Sequence, residues 1–243
     1  MRYWMVIAIL VLVSCKKAHE RRCVKSAGES TTIEIALDSF DKLELGPNLN
    51  YILVQDTVEK MVITGGRNLV NFVESNIVDG RLCITNENKC SFLRSYKHEI
   101  DVELHLKDIF DVKYLGSSTL TCQDQLDIPY LTWLSEEGAG SCDLNVKSKV
   151  FNMILNGWGE CTLNGEAEYL RIILQGYGDG NAYDINVTDS LNVISNSSGI
   201  ARVRANNIPI RVETKLTGDV LYKGTPSAIE FNQYGTGDLI DQN

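Results

Sequence analysis

Four acidic residues occupy one place in a recurring phrase: Glu160, Asp179, Asp219 and Asp238 each follow a Gly-x-Gly or a near copy of it. If the phrases stack, Glu160 lies beside Asp179 and Asp219 beside Asp238, about 5 Å apart. Paired carboxylates at that spacing suit loose Ca²⁺ coordination, or acid and base work on a sugar. Simpler chemistry comes first, because an Asp after a glycine corner accepts backbone N–H bonds and stays ionised in solvent. The same column also holds Thr119, Ser141 and Ile200, and no imidazole or cation recurs beside it to complete a catalytic set. No catalytic residue and no cofactor is assigned, beyond that loose Ca²⁺ site.

A second set is aromatic. Trp158, Tyr177 and Tyr234 each adjoin a corner glycine, and rings stepping along one edge would stack on sugar faces or pack a partner. The alternative is a ladder that merely covers corner backbone. Nucleophilic chemistry lacks its parts: there is no Gly-x-Ser-x-Gly, and the histidines are His19, His98 and His105. Gly176-Tyr177-Gly178-Asp179-Gly180 is followed by no helix to hold a phosphate. No cysteine pair is a Cys-x-x-Cys, which argues against zinc. Cys83 and Cys90 flank a turn-like stretch and could bridge it. Cys142 and Cys161 hold equivalent places in consecutive repeats, close enough to bridge; the preferred reading is two small buried thiols filling a narrow core.

The element that must position these residues is a coil. The phrases start at 116, 138, 157, 176, 197, 216 and 235, at intervals of 22, 19, 19, 21, 19 and 19 residues. Four places on come Leu120, Cys142, Cys161, Gly180, Ala201, Val220 and Leu239; six places on come Cys122, Leu144, Leu163, Ala182, Val203 and Tyr222. Four before lie Val112, Leu134, Met153, Ile172, Val193, Val212 and Phe231. Six before lie Phe110, Thr132, Phe151, Leu170, Leu191, Ile210 and Ile229, with Thr132 breaking the apolar pattern in the 22-residue coil. Apolar columns at spacing two are strands showing one face inward. The fold class is therefore all-β: a right-handed parallel β-helix of roughly seven turns over 108–243, its coils about 19–22 residues long. Corner glycines are expected to supply positive φ and close approach. Residues 31–107 are strand-rich but irregular, with a hairpin signal at Asp79-Gly80, and read as a cap plus the first coils. With no internal linker, 31–243 reads as one domain.

The chain of 243 residues opens with Arg2, an apolar run and Leu12-Val13-Ser14-Cys15. This layout predicts a lipoprotein signal peptide at 1–14 and a lipidated Cys15, with a polar tether over 15–30. No other run approaches the roughly 18 apolar residues of a membrane helix. A formal charge of −9 argues against nucleic acid as a partner.

Phe40-Asp41-Lys42-Leu43-Glu44-Leu45, Ile63-Thr64-Gly65-Gly66-Arg67-Asn68-Leu69 and Val78-Asp79-Gly80-Arg81-Leu82-Cys83-Ile84 resemble the first half of a known family. The Gly-x-Gly-(Asp/Glu) turns, Thr217-Gly218-Asp219-Val220 and Tyr222-Lys223-Gly224-Thr225-Pro226 resemble its second half. That family is the putative auto-transporter adhesin, head GIN domain group of bacterial exported proteins and lipoproteins. The resemblance covers nearly all of 31–243 and implies a β-helix with an adhesive or interaction role; it brings no catalytic residues to transfer. The chain departs from it at the Ser197-Ser198-Gly199 and Leu216-Thr217-Gly218 corners and in its core cysteines.

The expectation is a non-enzymatic, lipid-anchored interaction module of the cell envelope, at the outer membrane, with its facing side left open. Its expected partners are the membrane through the lipid, a glycan or an envelope or host surface protein, and a second copy through a flat coil face. The alternatives are a glycan-active β-helix enzyme using the stacked carboxylates, and a periplasmic structural protein.

Overall fold

The computed structural model describes residues 26–88 and 99–243. The expected signal peptide, Cys15, most of the tether and Cys90 lie outside the described residues. The first part holds β1 (Ser30–Ala36), β2 (Lys42–Leu45), β3 (Asn50–Gln55), β4 (Lys60–Gly66), β5 (Val73–Val78), β6 (Arg81–Asn86) and β7 (Asp101–Leu106). Next come β8 (Asp111–Tyr114), β9 (Thr119–Cys122), β10 (Leu126–Asp127) and β11 (Tyr130–Glu136). Three long strands, β12 (Ser141–Gly157), β13 (Glu160–Gly176) and β14 (Gly180–Ser197), each turn through a corner. The stack finishes with β15 (Ala201–Arg204), β16 (Pro209–Thr214), β17 (Val220–Lys223), β18 (Ala228–Gln233) and β19 (Leu239–Asp241).

Two parallel walls enclose one continuous apolar core. The first wall runs β6, β2, β8, β11, the second halves of β12, β13 and β14, then β16 and β18. Opposite it run β7, β3, β9, the first halves of β12, β13 and β14, then β15, β17 and β19. This is the expected β-solenoid, with about seven turns from β8 onward. The coil formed by β2 and β3 sits second in space, because β6 and β7 stack outside it. The hairpin at Asp79-Gly80 forms as expected, with φ of 50° and 76° joining antiparallel β5 and β6.

The phrase glycines act mainly through close approach rather than positive φ. A Cβ at Gly178 would collide with the carbonyl oxygen of Gly159, and one at Gly199 with that of Gly178. The same clash repeats at Gly218 against Gly199 and at Gly237 against Gly218. Left-handed backbone falls instead on Gly176 and, at the opposite corner, on Gly165 and Gly224.

The irregular intervals are absorbed in two ways. In the 22-residue coil two of the three extra residues enter between Thr121 and Leu126, and the third is Glu137, at φ 57°, placed after the strand. Counting back from Gly138 therefore gives the wrong parity: Leu131, Trp133 and Ser135 point inward, not Thr132 and Leu134. The 21-residue coil places its extra residues as register shifts, opposite Thr162–Asn164 and Ala167–Tyr169. Phe110, expected inward, is instead exposed with its ring under the Lys42 ammonium, and Ile109 is buried in its place. The inward columns are as expected from Leu120, Cys142 and Cys161 to Val220 and from Phe151 to Ile210.

One cysteine expectation is corrected: Cys142 and Cys161, in register with Cα atoms 4.6 Å apart, are bridged rather than two thiols. Cys83 is a free thiol and so not half of a bridge to Cys90. Cys122 is also free, and burial pushes its thiol up to about 11.

Candidate functional site

The glycine corners form an edge along the stack. Trp158 and Tyr177, one coil apart, stack with ring centroids 4.1 Å apart and planes 16° from parallel, and both are well exposed. Tyr234 is exposed too, but it precedes its corner glycine, and Ser198 and Thr217 fill the corners between. The edge thus presents one two-ring platform and a separate tyrosine.

The acidic column bonds from coil to coil. Asp179 accepts the Ile200 N–H at 2.8 Å and pairs with Arg202 at 3.0 Å. Asp219 accepts the Asp238 N–H at 2.8 Å, and Asp238 accepts from Gln233 at 2.8 Å. Glu160 stands exposed one coil before Asp179. These bonds are what an Asp beside an unpaired corner amide makes, and they tie each coil to the next. Among the described residues no group of three or more His, Cys, Asp or Glu is placed to hold a metal ion.

Outward columns on the two walls differ in character. The second wall shows polar ladders such as Asp143, Thr162 and Asn181, with Asn164 donating to Asp143 at 2.6 Å. On the first wall Leu134, Ile154, Ile173 and Ile194 align in register, all partly exposed. Tyr130, Val150 and Tyr169 form a parallel column beside them. Between the two columns stand Thr132, Asn152, Arg171 and Asn192, where Arg171 Nε and Asn192 Oδ1 are enclosed without a hydrogen-bond partner. Sequence reasoning passed over this stripe. Its signal was present as the consecutive pairs Ile172-Ile173 and Val193-Ile194, whose second members must face outward if the first face in.

His105, unassigned from sequence, lies between two carboxylates, with Nδ1 2.8 Å from Asp56 and Nε2 2.7 Å from Glu103. The histidine bond holds the Asp56 carboxyl below the usual carboxylate range. Neither ring nitrogen of His105 bonds a hydroxyl or thiol among the described residues. Nor, among the described residues, is any helix long and apolar enough to cross a membrane.

No curated protein matches the chain. Its fold is similar to the crystal structure of a putative adhesin from Bacteroides fragilis, at 18% identity and TM-score 0.79, covering 88% of this chain and 97% of that one. It is also similar to a putative adhesin from Parabacteroides distasonis (17% identity, TM-score 0.64, 88% and 98% covered). A putative lipid binding protein from the same species matches at 17% identity and TM-score 0.65, with 89% and 98% covered. The family model of the putative auto-transporter adhesin, head GIN domain, matches residues 39–226, and the chain belongs to that family.

Proposed function

We propose that the protein is a non-enzymatic interaction module of the bacterial cell envelope, anchored to the outer membrane through a lipid on Cys15. The observation that carries this reading is the exposed Trp158–Tyr177 platform on a rigid, hydrogen-bonded edge. Two stacked rings offer a broad apolar plane at little conformational cost, suited to a sugar face or a flat protein surface. The Asp179 and Asp219 carboxylates are committed to backbone amides and Arg202, which leaves them serving the coil rather than a reaction. Membership of an adhesin-named family supports the same reading.

The test is protease treatment of intact and lysed cells, following residues 31–243. Loss of the domain in intact cells is the expected result, and binding of the chain to a glycan array should then fall on Trp158→Ala. Protection until lysis would sink the surface role and leave a partner inside the envelope. A glycan-cleaving activity abolished by Asp179→Asn and Asp219→Asn would overturn the non-enzymatic reading.

A further inference from the structure

We propose that the first wall binds a second copy of the chain, wall to wall, with the two coil axes antiparallel. The two-fold axis runs along the strands, between β12 and β13. The surface that supports this pairing is the aliphatic column and the charges that bound it. In register, that column reads Glu44, Lys113, Leu134, Ile154, Ile173, Ile194, Glu213 and Asn232. The neighbouring column reads Lys42, Asp111, Thr132, Asn152, Arg171, Asn192, Arg211 and Glu230.

Face-to-face apposition about this axis lays each column against itself, reversed. Ile154 then meets Ile173 of the second copy, and Leu134 meets Ile194. At the ends Lys113 meets Glu213, Asp111 meets Arg211 and Lys42 meets Glu230, so every facing pair of charges is of opposite sign, and Glu44 falls on neutral Asn232. At the centre the Arg171 guanidinium faces the Asn152 amide, near the enclosed atoms that find no partner within the chain. Coil axes laid parallel would instead keep each rung level with its own copy and swap the columns, setting Asp111 beside Lys113 but leaving Arg171 over the aliphatic column.

The end charges already pair within the chain, Lys113 with Glu136 and Arg211 with Glu213 and Glu230. Their contribution across the axis is therefore to orientation, while affinity comes from the aliphatic and tyrosine columns. Six-residue strands and about 34 Å of stack give roughly 700 Å² of flat wall, or about 1,400 Å² for both copies. That falls within the ordinary range for a stable interface. An apolar stripe of this kind, rimmed by polar residues, marks a site of protein contact.

The experiment oxidises cells expressing the full chain with Lys113→Cys and Glu213→Cys together, then resolves it on a non-reducing gel. Within one chain these positions lie about 24 Å apart along the stack, far beyond disulfide reach. Across the two-fold axis they face each other. The expected result is a cross-linked dimer several-fold stronger than in wild type or either single variant, and lost when Ile173→Asp is added. Ile173 faces outward, so that change leaves the core intact, and sedimentation of the purified Ile173→Asp chain should show only monomer. No band above wild type, or equal bands in the single variants, would overturn the proposal.

Discussion

At its first coil the stack is roofed by antiparallel strands, whereas its last coil, β18 and β19, turns the same inward columns toward solvent. β5 pairs along β6, while β4 pairs along β7 and carries β1 on its far side. Ala27, Leu69, Val70 and Val73 fill the space beneath this roof. At the other end no described strand pairs with the outer edges of β18 and β19, and Ile229 is 48% exposed although Ile210, one coil inward, is 1% exposed. The interiors differ as well. Tyr51, Tyr114 and Trp133 pack together within the first coils, while Ser195, Ser197 and Thr214 enter the core later and bond corner backbone. A coil can thus be closed by apolar bulk under a cap, or by small polar residues that repay their burial with hydrogen bonds.

The largest effect should come from the capped half. Trp133→Ala should lower unfolding free energy by about 3–5 kcal/mol, read by urea denaturation, because the ring is fully buried between Val112 and Met153 in register. An effect below about 1 kcal/mol would mean that the first coils are not the packed end. Next comes one column read at two depths. Ile210→Ala should cost about 2–4 kcal/mol and Ile229→Ala under about 1 kcal/mol, since truncation is expensive only where neighbours surround the side chain. Equal losses would show that something covers the last coil in solution.

Thr214→Val tests the polar interior. It removes the 2.7 Å bond to the Gly237 carbonyl, and a loss of about 1–2 kcal/mol is expected, seen as a lower thermal midpoint. The smallest effect concerns the capped end in acid. Asp56 is held below its usual range mainly by the His105 hydrogen bond. Its folded-state pKa is depressed, so its contribution is present above the ordinary carboxylate value and fades as pH falls through the lower, folded one. Stability of Asp56→Asn should therefore differ slightly from wild type at neutral pH and converge with it in strong acid.

Much of the coil was legible because identical places in successive turns must stack. The columns through Cys142, Leu144, Cys161 and Leu163 needed only the 19-residue interval and the alternation of a strand. Trp133 was misplaced because a repeat counted from its glycines cannot say on which side of a strand an extra residue enters; Glu137 took a left-handed corner and shifted the parity. The carboxylate column was legible as position, and its preference for backbone amides followed from ordinary turn chemistry. The outward stripe was not read, since adjacent apolar pairs were credited to the core alone. Nor was the Cys142–Cys161 bridge chosen, because spacing allows a disulfide and two packed thiols equally well.

By itself the sequence determined a stacked all-β coil, its inward columns, its glycine corners and the family to which those features belong. Each of these depends on local period and steric size, which one-dimensional spacing records. Only the tertiary structure decided that β6 and β7 stack outside β2 and β3, that one end is roofed and the other bare, and that one wall is aliphatic outside. Those outcomes depend on which strands pair across long stretches of chain, and pairing is settled by the burial that the whole stack achieves together.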